Sequence, residues 1–314
     1  MMFNFDREKL DKDWDEFADL IGSPIDGDAQ FLSADFPDII SWIEHGVAEG
    51  QKHGKFRMPG LHPSFISGSS CVAAYYHHYM NAAKPNFSNG VLRIFDNGHA
   101  LHSRYQRYLQ ENLYGTWKCE SCKVLIGANS KYVSWMNSRN SASTLADLKD
   151  TTVAYQSDVP IARPEKCPEC GGSMIYHEWR VINEENGIVG EIDGIVKNSR
   201  GDFVGLEFKS VNSRTFKKFQ QREGDILLKY RKQFAIYLKE LDIAYGLFVF
   251  ENKDTQHVEL LPVYLEEELE LVEPVYELVN KVNLFLLKGK IPKVSYNEDC
   301  SSCDFYRGVC DPGR

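Results

Sequence analysis

Apolar and polar positions change their spacing along this chain of 314 residues. Up to about residue 113 they recur at helical intervals. Leu10, Trp14, Phe17 and Ile21 share one stripe, and a short amphipathic run covers 36–47. A helix over about 95–113 carries Leu101, Tyr105, Tyr108 and Leu109 as its apolar face. Serines before Cys71 stand where a helix cap is wanted, and Tyr75, Tyr76 and Tyr79 follow on successive turns. From Trp117 to about Glu178 a Ser/Asn/Asp-rich stretch without a core-forming pattern suggests an insert. Beyond it, 178–198 and 202–211 alternate as strands joined by a turn at Asn198–Asp202. A helix over about 225–241, strands over 245–252 and 257–265, and a helix over 266–290 complete an α/β (α+β) chain. The division expected is an acidic helical region at 1–60, an inserted subdomain at 117–178, and one domain built from 61–116 and 179–314.

Charge changes this picture in two places. Residues 1–50 hold thirteen acids against Arg7, Lys9 and Lys12, or −10 of a net −9, so the remainder is +1. Residues 209–232 carry eight bases against Glu223 and Asp225, a local +6 that attracts phosphates unless it is simply a solvated face. The hydrophobic content of 43% fits a packed core. No apolar run approaches bilayer length and the acidic start is unlike a signal peptide, so a cytoplasmic protein without membrane partners is expected. No fixed-period repeat and no phosphate-binding Gly-x-x-x-x-Gly-Lys-Ser/Thr loop is present.

The strand pair concentrates chemistry. Side chains two apart share a face, so Glu191 and Asp193 point one way on the first strand, and Glu207 and Lys209 on the second. Asp193 beside Glu207 makes an oxygen-rich site suited to Mg²⁺ or Mn²⁺, which lower the pKa of a bound water and stabilise charge on a phosphate. Lys209 can orient or help deprotonate that water. The alternative is an exposed cross-strand salt-bridge cluster. Against it stand Ile192, Ile195, Val196, Val204, Leu206 and Phe208, which place both strands deep in a sheet, where unpaired charge is costly.

Gly98-x-x-x-His102, Gly190-x-x-Asp193, Glu207-x-Lys209 and Gln233-x-x-x-Tyr237 follow in order. This ordered set resembles the RecB-type branch of the PD-(D/E)xK nuclease superfamily, over roughly residues 65–310. The resemblance implies a restriction-endonuclease-like core, a central mixed β-sheet flanked by helices. It makes His102 a metal ligand with Asp193 and Glu207, adds the carbonyl of Phe208, and has Gln233 and Tyr237 brace Lys209 or the scissile strand. His99, one turn earlier, is a rival to His102, and Glu191 falls where the family varies.

Eight cysteines divide into two sets of four. Cys119-x-x-Cys122 and Cys167-x-x-Cys170 are knuckles with 44 residues between them, the arrangement of a tetrahedral Zn²⁺ ribbon, with Trp117 and Met174 as an apolar cap. A redox Cys-x-x-Cys is the weaker reading, because two such pairs occur and neither opens a βαβ unit. Cys300-x-x-Cys303-x₆-Cys310 leaves three thiols, and Cys71 is the remaining one. Iron–sulfur members of the same branch, including the CRISPR adaptation nuclease and AddB-type exonucleases, place one cysteine before the nuclease motifs and three after them, which implies a [4Fe-4S] cluster here. A second zinc, or incidental cysteines, are the alternatives.

The function expected is a deoxyribonuclease, exonucleolytic on single strands or free DNA ends, in recombination, repair or phage DNA metabolism, with a helicase or recombination partner to supply a motor. A silent DNA- or protein-binding module on the same fold and a site-specific endonuclease are the competing readings.

Overall fold

The computed structural model describes residues 41–47, 60–80, 88–139, 152–221, 225–296, 300–301, 303–306 and 308–310. The Leu10–Ile21 stripe and most of the acidic region lie outside the described residues, as do 140–151 of the polar stretch. The chain divides after Gly54. In the first part residues 41–47 are helical; every element named below belongs to the second, Lys55–Arg314.

Three helices come first: α1 (Pro63–Ile66), α2 (Val72–Tyr79) and α3 (Asn89–Leu109). The serines ahead of Cys71 shape a turn rather than cap a helix by their side chains. Ser69 Oγ accepts the Cys71 amide, and the buried Tyr75 hydroxyl donates to the carbonyls of Ile66 and Ser69. Helix α3 begins earlier than the apolar stripe suggested, because Ser88 Oγ accepts the Val91 amide as its cap.

Strands β1 (Tyr114–Cys119), β2 (Leu125–Asn129), β3 (Val153–Ser157), β4 (Ile161–Ala162) and β5 (Met174–His177) form one sheet, ordered β3-β2-β1-β4 with β5 also on β1. Helix α4 (Ser130–Arg139) lies between β2 and β3 in the chain. Strands β6 (Trp179–Asn183) and β7 (Ile188–Ile192) form an antiparallel pair. Strands β8 (Gly194–Lys197) and β9 (Phe203–Val211) pair antiparallel across the expected Asn198–Asp202 turn, where Asn198 accepts and returns hydrogen bonds and Gly201 adopts a φ of +89°. Two helices, α5 (Ser213–Gln220) and α6 (Asp225–Glu240), then carry the chain to β10 (Tyr245–Asn252), which lies parallel to β9. An antiparallel β11 (Val258–Tyr264) and the long helix α7 (Leu265–Leu287) follow. The central sheet is therefore mixed, ordered β11-β10-β9-β8, and helices flank it. Among the described residues no helix is long and apolar enough to cross a membrane.

Helix α5 has little signal in the sequence, being short and mostly polar. It forms because Asn212 Oδ1 caps it through the Thr215 amide (2.9 Å) and Phe216 and Phe219 bury against the sheet. Central strands β9 and β10 are buried on both faces. On one side Phe216, Phe219, Phe234, Phe248 and Phe250 share a cluster with Trp179 and Ile192. On the other, Leu206, Phe208 and Val249 pack with Leu101 of α3 and with Trp117, Cys119, Cys167 and Met174 of the cysteine-rich segment. Each such buried side chain contributes about 1.5–3 kcal/mol relative to exposure. Strand β9 and the cysteine knuckles thus rest on one hydrophobic mass.

Candidate active site

Asp193 is the residue at which the chain changes sheets. It stands between β7, paired with β6, and β8, paired with β9. The β8–β9 ladder ends at Gly194 opposite Leu206. Past that point the amide of Phe208 donates to Asp193 Oδ2 at 2.7 Å. The other oxygen, Oδ1, faces His102 Nδ1 at 3.3 Å. Because N–H and C=O of one extended residue point to the same edge, the Phe208 carbonyl faces that side too.

His102 comes from α3, held by contacts one turn further along. Gln106, four residues on, donates to Glu178 Oε1 (2.8 Å) and to the Asp193 carbonyl (3.0 Å). Arg104 and Tyr105 both bond the buried Glu251 of β10, at 2.5–2.6 Å and 2.8 Å. The Tyr105 ring stacks on Phe208 at 5.3 Å between centroids. His99 is exposed on another side of the helix.

Glu178, the single residue between β5 and β6, completes a group that the strand pattern did not reveal. Ligand atoms of His102, Glu178 and Asp193 lie within 4.8 Å of one another. Glu207 is outside that group, although it was expected as a ligand beside Asp193. Its Oε1 accepts from Lys209 Nζ and from Gln233 Nε2 (2.9 Å), so the Gln233 hydrogen bond from α6 to β9 is made to Glu207. Lys209 also sits 5.3 Å from the Tyr230 ring centre. Tyr237, buried, packs where Gly190 lacks a side chain. Glu191 goes elsewhere, to Arg180 Nη2 at 2.6 Å across the β6–β7 pair.

Electrostatics follow from this crowding. Burial and the charge of Glu207 push the Asp193 carboxyl up to about 8. Burial disfavours the His102 cation, but Glu178 and Asp193 beside it outweigh this and raise its pKa. Burial would likewise raise Glu178, yet its contacts with His102 and Gln106 hold it below the ordinary range. For Lys209, burial is overcome by Glu207 and Asp193, so its pKa is raised and it stays an ammonium. Such a lysine orients and neutralises rather than accepting a proton.

A divalent cation fits this donor set. Glu207 is 1% exposed and its Oε2 has no hydrogen-bond partner among the described residues. A bare buried carboxylate oxygen is expensive, and a cation held by His102, Glu178 and Asp193 would offset the repulsion between Glu207 and Asp193.

The first cysteine set is compact. All four sulfurs lie within 4.8 Å of one another, with Cys119–Cys170 at 3.4 Å and Cys122–Cys167 at 3.7 Å. A tetrahedral zinc with Zn–S near 2.3 Å sets sulfurs roughly 3.8 Å apart. The two knuckles are built alike. Cys119 and Cys167 each accept at the carbonyl from the residue four on, Lys123 and Gly171, and donate to the carbonyl of the residue five on. Those fourth residues carry φ of +63° and +73°. Glycine adopts this freely, whereas Lys123 does so at a cost held down by the turn.

The second set, Cys71, Cys300, Cys303 and Cys310, lines one cavity of about 250 Å³ with Phe65 and Lys229. The fully buried Phe305 anchors the C-terminal segment there, packing on Phe65 and His77 of α1 and α2. No three of these sulfurs come within the 4.8 Å seen in the first set.

No protein-family description and no curated protein matches the chain. Among solved structures, SSO0001 aligns over 87% of this chain and 96% of its own at 14% identity and a TM-score of 0.39. An alkaline exonuclease, LHK-Exo from Laribacter hongkongensis, aligns over 36% of this chain and 61% of its own at 14% identity and a TM-score of 0.29. LHK-Exo in complex with dAMP aligns over 74% and 93% at 13% identity and 0.36. Likeness at this level carries no argument about chemistry, which rests on the residues of the site itself.

Proposed function

We propose that this chain is a metal-dependent deoxyribonuclease that hydrolyses phosphodiester bonds, acting from DNA ends or on single strands. The observation that carries the reading is the convergence of His102, Glu178 and Asp193 at the end of the β8–β9 ladder, with the buried Glu207–Lys209 pair on the neighbouring strand. His102, Glu178, Asp193 and Glu207, with the Phe208 carbonyl, would hold Mg²⁺ or Mn²⁺. When bound, such an ion supplies a water of lowered pKa and Lewis acidity toward a phosphate oxygen. Lys209 neutralises charge developing on the phosphate, and Gln233 fixes Glu207 through its Oε1. A salt-bridge cluster or a binding module has no need of an oxygen left bare at 1% exposure.

Zinc at the Cys119, Cys122, Cys167 and Cys170 tetrad is supported by the sulfur spacing. A [4Fe-4S] cluster at Cys71, Cys300, Cys303 and Cys310 is supported by their shared cavity. Purified without oxygen, the protein is expected to be brown and to contain both iron and zinc.

The deciding assay compares end-labelled linear with closed circular single-stranded DNA in Mg²⁺ or Mn²⁺. Loss of linear substrate alone is the expected result, and cutting of circles would remove the exonuclease reading. No cleavage of either, with Asp193→Ala unchanged in DNA binding, would point to a silent binding module.

A further inference from the structure

The eight bases of 209–232 do not act together. Lys209 belongs to the active site. Arg231 is bound through Nε and Nη2 to the buried Glu268 Oε1, at 2.8 and 2.6 Å. Lys229 lies against Gly68 in the cysteine cavity, and Arg222 is outside the described residues. On α5, by contrast, Arg214, Lys217 and Lys218 are exposed and make no ion pair among the described residues. Their spacing puts all three on one face.

The opposite face is fixed by Phe216 and Phe219 in the core, so these cations stand on a rigid support. Among the described residues, neither Asp254 nor Glu259 forms an ion pair with these bases. Asp254 accepts from the Ser213 amide and hydroxyl (2.8 and 2.6 Å), and Glu259 accepts from Gln220 (2.8 Å). An unneutralised basic face on an anchored helix suits a polyanion.

Position selects the polyanion. Only residues 210–212 separate Lys209 from α5. Four extended residues span about 13 Å, and a duplex advances about 3.4 Å per base pair. We infer that the exposed face of α5 binds the phosphate backbone of the DNA substrate roughly four to six nucleotides from the scissile bond, through Arg214, Lys217 and Lys218. This inference rests on the nuclease reading above and adds the path of the substrate.

The test is the triple variant Arg214→Gln, Lys217→Gln, Lys218→Gln in the full-length metal-loaded protein. Binding of a labelled oligonucleotide of about 30 nucleotides, measured by anisotropy in an Asp193→Asn background across a salt series, should lose roughly 2 from its log–log salt slope. Cleavage of the same oligonucleotide should show KM raised about tenfold with kcat within about twofold. A trinucleotide, too short to reach α5, should be cleaved as by the parent protein. An unchanged salt slope and KM would overturn the proposal, as would an equal loss on the trinucleotide. If the parent protein cleaves nothing, the nuclease reading fails, and the binding series still decides whether α5 holds DNA.

Discussion

A methyl group placed on Gly190 would lie 2.8 Å from Cε1 of Tyr237 and 2.9 Å from its hydroxyl. The first residue of Gly190-x-x-Asp193 and the last of Gln233-x-x-x-Tyr237 therefore interlock. This contact seats α6 against β7, which in turn sets Gln233 against Glu207. Gly190→Ala should destabilise the protein by about 1–3 kcal/mol through overpacking, measured by denaturant unfolding. Adding Tyr237→Leu should recover part of that loss, and a single variant as stable as the parent would refute the interlock.

Glu178 and Glu191 offer a direct contrast. Glu178→Gln removes a donor from the His102–Asp193 group and should weaken Mn²⁺ binding on the order of a hundredfold, read by calorimetry. Glu191→Gln breaks the pair with Arg180 and should leave metal affinity within about threefold. Reversal of this order would remove Glu178 from the site.

Helix α3 reaches the sheet through Glu251, so its removal should misplace His102. Glu251→Ala strands Arg104 and Tyr105, and the expected result is a Mn²⁺ requirement raised about tenfold with kcat largely recovered at saturating metal. Tyr105→Phe, which keeps the stack on Phe208, should show a smaller effect in the same direction. An unaltered metal titration in both variants would leave Glu251 a purely structural carboxylate.

Asp193 should impose a pH dependence of known sign. Its pKa in the metal-free fold, about 8, lies above the ordinary 3.8. The stability this proton contributes is present below about pH 4 and is lost as pH rises toward 8. In EDTA, the melting temperature of the parent relative to Asp193→Asn should fall over that window. Metal binding expels the proton, so Mn²⁺ affinity should rise over the upper part of the same range. A flat difference between parent and variant would show that Asp193 ionises normally.

Zinc loss should reach the active site. Cys119, Cys167 and Met174 pack in one cluster with Leu206 and Phe208. Cys167→Ser should abolish zinc binding, lower the melting temperature and reduce cleavage together. Full activity with no bound zinc would separate the knuckles from the function of β9.

Periodicity and turn chemistry determined the local structure on their own. The hairpin at Asn198–Asp202, the runs that became β9, β10 and α6, and the spacing of both cysteine knuckles are written in residues near one another, where backbone preference and side-chain alternation act directly. The order of Asp193, Glu207, Lys209 and Gln233 was legible for the same reason. Tertiary structure decided which groups meet. Alternation put Glu191 beside Asp193, but the chain changes sheets at Asp193 and Glu191 turns to Arg180. Glu178 joins His102 and Asp193 from a one-residue connection that has no period to read. Gln233 grips Glu207 rather than Lys209, and Glu251 reaches α3 from a strand almost 150 residues away, at separations of 147 and 146. Such contacts depend on how helices settle on a twisted sheet, a global packing outcome that no local pattern encodes.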